Sequence, residues 1–214
     1  MSRPPESATP PADCALCPRL AAHRNQIRAG HPDWFNAPVP SFGDPGARLL
    51  IVGLAPGLAG ANRTGRPFTG DYAGDLLYAT LAKYGFSDGT YDRRADDGLA
   101  LVDCRVTNAV RCLPPENKPV APEVGTCRDY LIGEIASLDH LRILLALGHI
   151  AHKATLAALG RRQRDFPFGH GARHEVAPGL ALHDSYHCSR YNTNTRRLTV
   201  DMFEAVFRDI REAL

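Results

Sequence analysis

The chain has no apolar run approaching the roughly 20 residues that a bilayer-spanning helix needs. It has no GKS or GKT triplet and no GxGxxG opening a helix, so both common phosphate-cradling fingerprints are missing. No apolar leader precedes Cys14. The segment MSRPPESATPPAD is polar and proline-rich, which implies a reducing, cytoplasmic setting in which disulfides are disfavoured. Neither sign of charge dominates either. A net charge of +2 and a pI near 8.3 neither demand nor exclude nucleic acid, because a nearly neutral domain can still carry a basic face. No internal repeat and no second domain is visible.

What is present reads as one globular domain over residues 13–214, behind a disordered segment of residues 1–12. The 214 residues, 44% hydrophobic and 22% charged, suffice for a sizeable core. Apolar strand candidates recur at Leu49 to Gly53, Leu99 to Val106, Arg142 to Gly148 and Leu180 to His183, too far apart for hairpins. Helical patterns fall at Pro18 to Gly30, Tyr72 to Tyr84, Pro122 to Leu138, Ile150 to Leu159 and Thr199 to Leu214. Strands alternating with helical crossovers predict an α/β three-layer sandwich around a central, mainly parallel four-stranded sheet. Pocket residues are then expected at the carboxyl ends of the strands.

One stretch stands out. VGLAPGLAGANRTGRPFTGD (Val52 to Asp71) joins a buried strand to a glycine-rich loop carrying Asn62, Arg66, Phe68 and Asp71, a loop suited to surrounding a small ligand. Four of the six cysteines fall as Cys14-x2-Cys17, then Cys112-x14-Cys127. Two thiolate pairs brought together by folding suit either tetrahedral zinc or an iron-sulfur cluster, and spacing does not choose between them. Cys104, within LALVDCRV, reads as a buried core thiol, and Cys188 beside His187 is ambiguous.

These residues resemble family 5 uracil-DNA glycosylases, iron-sulfur members of the uracil-DNA glycosylase superfamily, over nearly the whole chain. GLAPGLAGANRTGRPFTGD is similar to that family's first motif, NAVRC (Asn108 to Cys112) to its middle motif, and SYHCSRYNTNTRRLT (Ser185 to Thr199) to its second catalytic motif. The resemblance implies a uracil-DNA glycosylase-like fold and a structural 4Fe-4S cluster on Cys14, Cys17, Cys112 and Cys127. It also implies removal of uracil, and of other deaminated or damaged bases, from DNA by a monomeric prokaryotic enzyme with no membrane partner.

Breaking the N-glycosidic bond leaves positive charge on the sugar and negative charge on uracil. The base must also be extruded, stacked and read. Phe68 matches the family's stacking aromatic. Asn108 offers one planar acceptor and donor for uracil's N3-H and O4. His187 matches the histidine of the second motif, as a neutral donor to uracil O2; His183, four residues earlier, is its rival. After the strand-ending Gly53, the position where many superfamily members carry a water-orienting Asp or Asn is Ala55, whose methyl cannot activate water. The resemblance points to Asp71 as the substitute, with Asn62 the alternative and helix N-capping the plain structural reading of Asp71. In the segment from Ser189 to Leu198, Arg190 and Tyr191 are expected to fill the space vacated by the base. Arg196 and Arg197 are expected to face phosphates, with Ser189 and Asn192 continuing the motif. Arg161, Arg162 and Arg164 read as a solvated loop. Outside this class, an iron-sulfur redox protein or a non-catalytic DNA-binding module remains as an alternative.

Overall fold

LLIVG and ILLAL are buried along their whole length, as parallel strands covered on both faces must be. They form the middle of the sheet in a computed structural model that describes residues 9–214. In chain order the elements are α1 (Pro18–Gly30), β1 (Phe42–Gly43), β2 (Leu49–Gly53), α2 (Ala61–Thr64), α3 (Tyr72–Lys83), β3 (Ser87–Asp88), β4 (Ala100–Leu101) and β5 (Cys104–Asn108). There follow α4 (Ala121–Ala136), β6 (Ile143–Leu147), α5 (His149–Ala158), β7 (Arg173–Ala177), β8 (Leu180–Ser185), α6 (Arg190–Asn194) and α7 (Val200–Ala213).

The main sheet has the order β1-β5-β2-β6-β8-β7. Its inner four strands are mutually parallel, and β1 and β7 add antiparallel edges. The expected four strands are therefore the parallel centre of a six-stranded sheet. The apolar run from Leu99 to Val106 is also not one strand. It breaks at an exposed Val102 and at Asp103, whose φ is +53°, so that β4 pairs with β3 in a separate hairpin while β5 enters the sheet.

Alternation along β2 feeds two cores. Leu49 and Ile51 face α3 and α7, meeting Leu77, Leu81, Phe203 and Phe207. Leu50 and Val52 face α4 and α5, meeting Leu131, Ala151 and Ala154. The closing helix α7 shows why it docks: Phe203, Val206, Phe207 and Ile210 recur at helical spacing and all are buried. Each such burial is worth about 2 kcal/mol. Residues 1–8 of the expected disordered segment lie outside the described residues. At its described end Pro10 is buried, while Pro11 and Ala12 are exposed.

Candidate active site

The carboxyl ends of the parallel strands open into a cavity of about 550 Å3. Its lining includes Ala55, Phe68, Asp71, Asn108, His187, Ser189 and Arg190. Gly53, at the end of β2, lies beneath it. A Cβ there would stand 2.4 Å from Asn108 Oδ1 and 2.5 Å from the Phe68 ring, so the bare backbone is what lets the carboxamide and the aromatic meet. Phe68 is buried and held at φ +53°, a conformation costing on the order of 1–3 kcal/mol in a bulky residue.

Asn108 is the last residue of β5. Beyond it the ladder to the first loop continues, with Ala109 N donating to Gly53 O (2.9 Å) and Val110 N to Leu54 O (3.0 Å). Among the described residues no hydrogen bond ties its carboxamide, which borders the cavity. His187 follows β8, its ring 6.0 Å from that of Phe68 at an interplanar angle of 28°. Burial pushes its pKa down to about 4, so the imidazole is neutral at physiological pH. Asn192 Nδ2 donates to His187 O (2.8 Å) and fixes the backbone that carries the ring. His183 is buried on β8, outside this lining, and borders a different cavity with Arg173 and Asp209.

Asp71 both caps and faces the cavity. Its Oδ1 accepts from Gly74 N (3.1 Å) at the start of α3. Its Oδ2 lies against the glycine loop, 2.4 Å from where a Cβ on Gly60 would be. Burial raises its pKa, and the Gly74 and Ala73 amides only partly offset that. Asn62, though buried, is not in the lining. Its Nδ2 donates to Asn36 Oδ1 (3.0 Å), tying the glycine loop to the segment before β1. The structure therefore brings Asp71, and not Asn62, to the cavity.

The second-motif segment folds as the short helix α6, capped by Ser189, whose Oγ accepts from Asn192 N (3.4 Å). Tyr191 is 72% exposed, and Arg190, Arg196 and Arg197 are exposed. None of these arginines pairs with a carboxylate among the described residues. Arg190 lies 5.4 Å over the Tyr72 ring and Arg197 lies 4.6 Å over Tyr186.

The profile of the uracil DNA glycosylase superfamily matches residues 40–211. The chain belongs to the uracil-DNA glycosylase superfamily. A type-5 uracil-DNA glycosylase of Thermus thermophilus is 47% identical over 204 residues, covering 92% of each chain. One from Mycobacterium tuberculosis is 41% identical over 208 residues, covering 93% of this chain and 77% of that one. A third, from Pyrobaculum aerophilum, is 39% identical over 200 residues, covering 92% and 87%.

In this superfamily member Cys14, Cys17, Cys112 and Cys127 line one small cavity beside Leu20 and Tyr130. Arg111 N donates to Cys127 Sγ (3.4 Å), and Arg24 Nη1 lies 3.7 Å from Cys112 Sγ. Burial pushes the Cys112 thiol up to about 12 and Cys127 up to about 11. Among the described residues no group of His, Cys, Asp or Glu side chains converges as a single-ion metal site. Arg19 ties α1 to α4 through Glu123, with Nε to Oε1 at 2.8 Å. Cys104 is a core thiol as expected, and Cys188 is another, its Sγ donating to Ala73 O at 3.5 Å.

Sequence reading gave no role to Arg111, Asn117 or Tyr91. Arg111 is almost fully buried and reaches Ser41 Oγ (2.7 Å) and Glu134 Oε2 (3.1 Å), bracing the stretch between Asn108 and Cys112. Burial pulls the Glu134 pKa up, but Arg111 and Arg105 outweigh it and hold the carboxylate ionised. Asn117 borders the cavity from a turn in which Glu116 and Asn117 have φ +55° and +57°. Arg111 lay within a quoted motif; nothing in the local pattern marked the other two.

Proposed function

We propose that the chain is a DNA repair glycosylase, hydrolysing the N-glycosidic bond of uracil in DNA, and of other deaminated or damaged bases, to leave an abasic site. The observation that carries this reading is the gathering of Phe68, Asn108, Asp71 and His187 round one cavity in a chain of this superfamily. Extruding the base costs a few kcal/mol, which stacking on Phe68 partly offsets. The Asn108 carboxamide accepts from N3-H and donates to O4. As the bond from C1′ to N1 breaks, its electron pair leaves with uracil, and neutral His187 donates a hydrogen bond to O2, where the charge gathers. Asp71 stabilises the cationic sugar and orients the water whose oxygen joins C1′; the water's proton passes to solvent or to the departing base. The Ala55 side chain offers no polar atom for that task.

Arg196 and Arg197 contact phosphates, while Arg190 and Tyr191 fill the vacated stack, with Ser189 and Asn192 shaping the segment. The four cysteines fit a 4Fe-4S cluster. They line one cavity, as four-thiolate ligation of such a cluster requires, and two of them receive N–H donors from Arg111 and Arg24. The cluster is structural and supplies no step of the reaction. It clips the segment bearing Cys14 and Cys17 to the stretch after Asn108. We assign residues 13–214 to one domain, acting as a monomer in the cytoplasm; no described helix is long and apolar enough to cross a membrane.

The test is incubation with a uracil-containing oligonucleotide, followed by alkali to cut abasic sites and by quantification of free uracil. Strand cleavage with stoichiometric uracil release is expected. Binding without release would mean a non-catalytic DNA-binding module, and neither would leave a redox protein. For the cluster, anaerobically isolated protein should be brown and contain iron, with Cys112→Ala losing colour and stability together. Equimolar zinc without iron would refute it.

A further inference from the structure

Phe68 holds its left-handed backbone because side chains from outside the first motif grip the residues around it. Tyr91 stands in the loop between β3 and β4. Its hydroxyl accepts from Gly70 N (3.2 Å) and donates to Phe68 O (3.3 Å), bridging both sides of Thr69. Tyr78 Oη donates to Pro67 O (2.6 Å). Arg66 is clamped by both oxygens of Asp97 at 2.7 Å, with side-chain exposures of 4% and 1%, and its Nε donates to Thr69 Oγ1 (2.7 Å). Asp97 also accepts from Asp92 N (2.9 Å) and Leu99 N (3.1 Å), which closes its loop on itself. The Tyr78 and Tyr91 rings pack at 4.5 Å, and the Arg66 guanidinium lies within 5.8 Å of both ring centres. Gly74 leaves room for this: a Cβ there would stand 1.7 Å from Phe68 O and 2.6 Å from Tyr91 Oη.

Left to itself, a phenylalanine relaxes to negative φ, and its ring swings away from Gly53 and Asn108. We propose that Tyr91, together with the Asp97–Arg66 pair, is a positioning residue that holds the Phe68 ring against the base, so that the loop between β3 and β4 takes part in base recognition without touching DNA. The inference rests on the proposed uracil-releasing activity. It adds a second stretch of chain, residues 89–99, to the determinants of that cavity.

The test compares wild type, Tyr91→Phe, Phe68→Ala and the double variant in single-turnover uracil release, in inhibition by free uracil and in binding to undamaged duplex. Tyr91→Phe removes only a hydroxyl. It should slow release about tenfold and weaken inhibition by free uracil by a similar factor, the scale of losing one or two hydrogen bonds, with binding to undamaged duplex unchanged. In the double variant the Tyr91 substitution should add nothing to the loss caused by Phe68→Ala, since it acts through that ring. Asp97→Asn should reproduce the pattern more weakly. A lowered melting temperature with normal uracil inhibition, or full additivity in the double variant, would overturn the proposal. Wild-type protein that releases no uracil would overturn the functional reading and this one with it, whereas active wild type with an unaffected Tyr91→Phe would remove the clamp alone.

Discussion

The two loops that meet at the cavity are built in opposite ways. Residues 54–71 are gripped at every turn: Arg66, Thr69, Tyr78 and Tyr91 hold the backbone around Phe68, and Asn62 is tied down by Asn36. Residues 189–197 leave Arg190, Tyr191, Arg196 and Arg197 exposed, with Arg190 and Arg197 resting on rings and none of the three arginines on a carboxylate among the described residues. Preorganisation is needed where charge develops within a fixed distance of the base. Freedom from internal acid partners is what a surface needs to meet phosphates. On the proposed reading the difference separates chemistry from docking, and each half of it can be broken by substitution.

The largest effects belong to the gripped side. Asp71→Asn and His187→Ala should each slow single-turnover release on the order of 100-fold or more, with folding and metal content intact. Because Asn caps a helix about as well as Asp, normal stability with a large rate loss separates catalysis from capping at Asp71; full activity in Asp71→Asn would remove it from the mechanism. The pH profile sharpens the same point. Burial raises the Asp71 pKa, so the rate should fall, as pH drops, at a value above the ordinary carboxylate range, while His187 stays neutral down to about 4. Residual activity of Asp71→Asn should lack that limb. An unmoved limb would assign the titration elsewhere.

Next in size is Gly53→Ala. One methyl driven between Asn108 and Phe68 should cost about tenfold or more in release, from the strain of overpacking, and leave binding to undamaged DNA unchanged. Wild-type rates would show that the ring and carboxamide yield easily. Smallest in activity are the changes on the exposed side. Replacing Arg196 and Arg197 with alanine should lower the salt dependence of DNA binding by roughly one to two units of slope. An identical slope would mean that they face only solvent. Arg190→Ala should slow release from paired uracil more than from mismatched or single-stranded uracil, where extrusion is cheaper.

Much of this was legible because β2 and β6 are continuous apolar runs, β5 and β8 begin in or follow apolar stretches, and the helices keep their period. The edges were not. β1 has only two residues, and β7 reads RHEVA, with a single buried residue, so neither stands out from a loop. The run through Val102 and Asp103 looked continuous because hydropathy does not report a left-handed residue. At the cavity, Phe68, Asp71, Asn108 and His187 lay inside recognisable motifs. Asn62 lay there too and turned the other way, since composition cannot tell which side of a turn a carboxamide faces. Tyr91 and Asp97 escaped notice because their partners are 21 to 31 residues away, in a contact with no sequence period.

The strand order has a consequence for how the molecule comes into being. Asn108 ends β5 and His187 follows β8, with β2 and β6 lying between those strands in the sheet, so the two side chains share a cavity only once the last parallel strand has been laid down. Translation delivers the gripped loop before the histidine. A growing chain thus carries the aromatic and the carboxamide for a time with no imidazole opposite them. Completion of the cavity therefore waits on β8, and no order of synthesis brings the imidazole to the carboxamide before that strand has paired with β6.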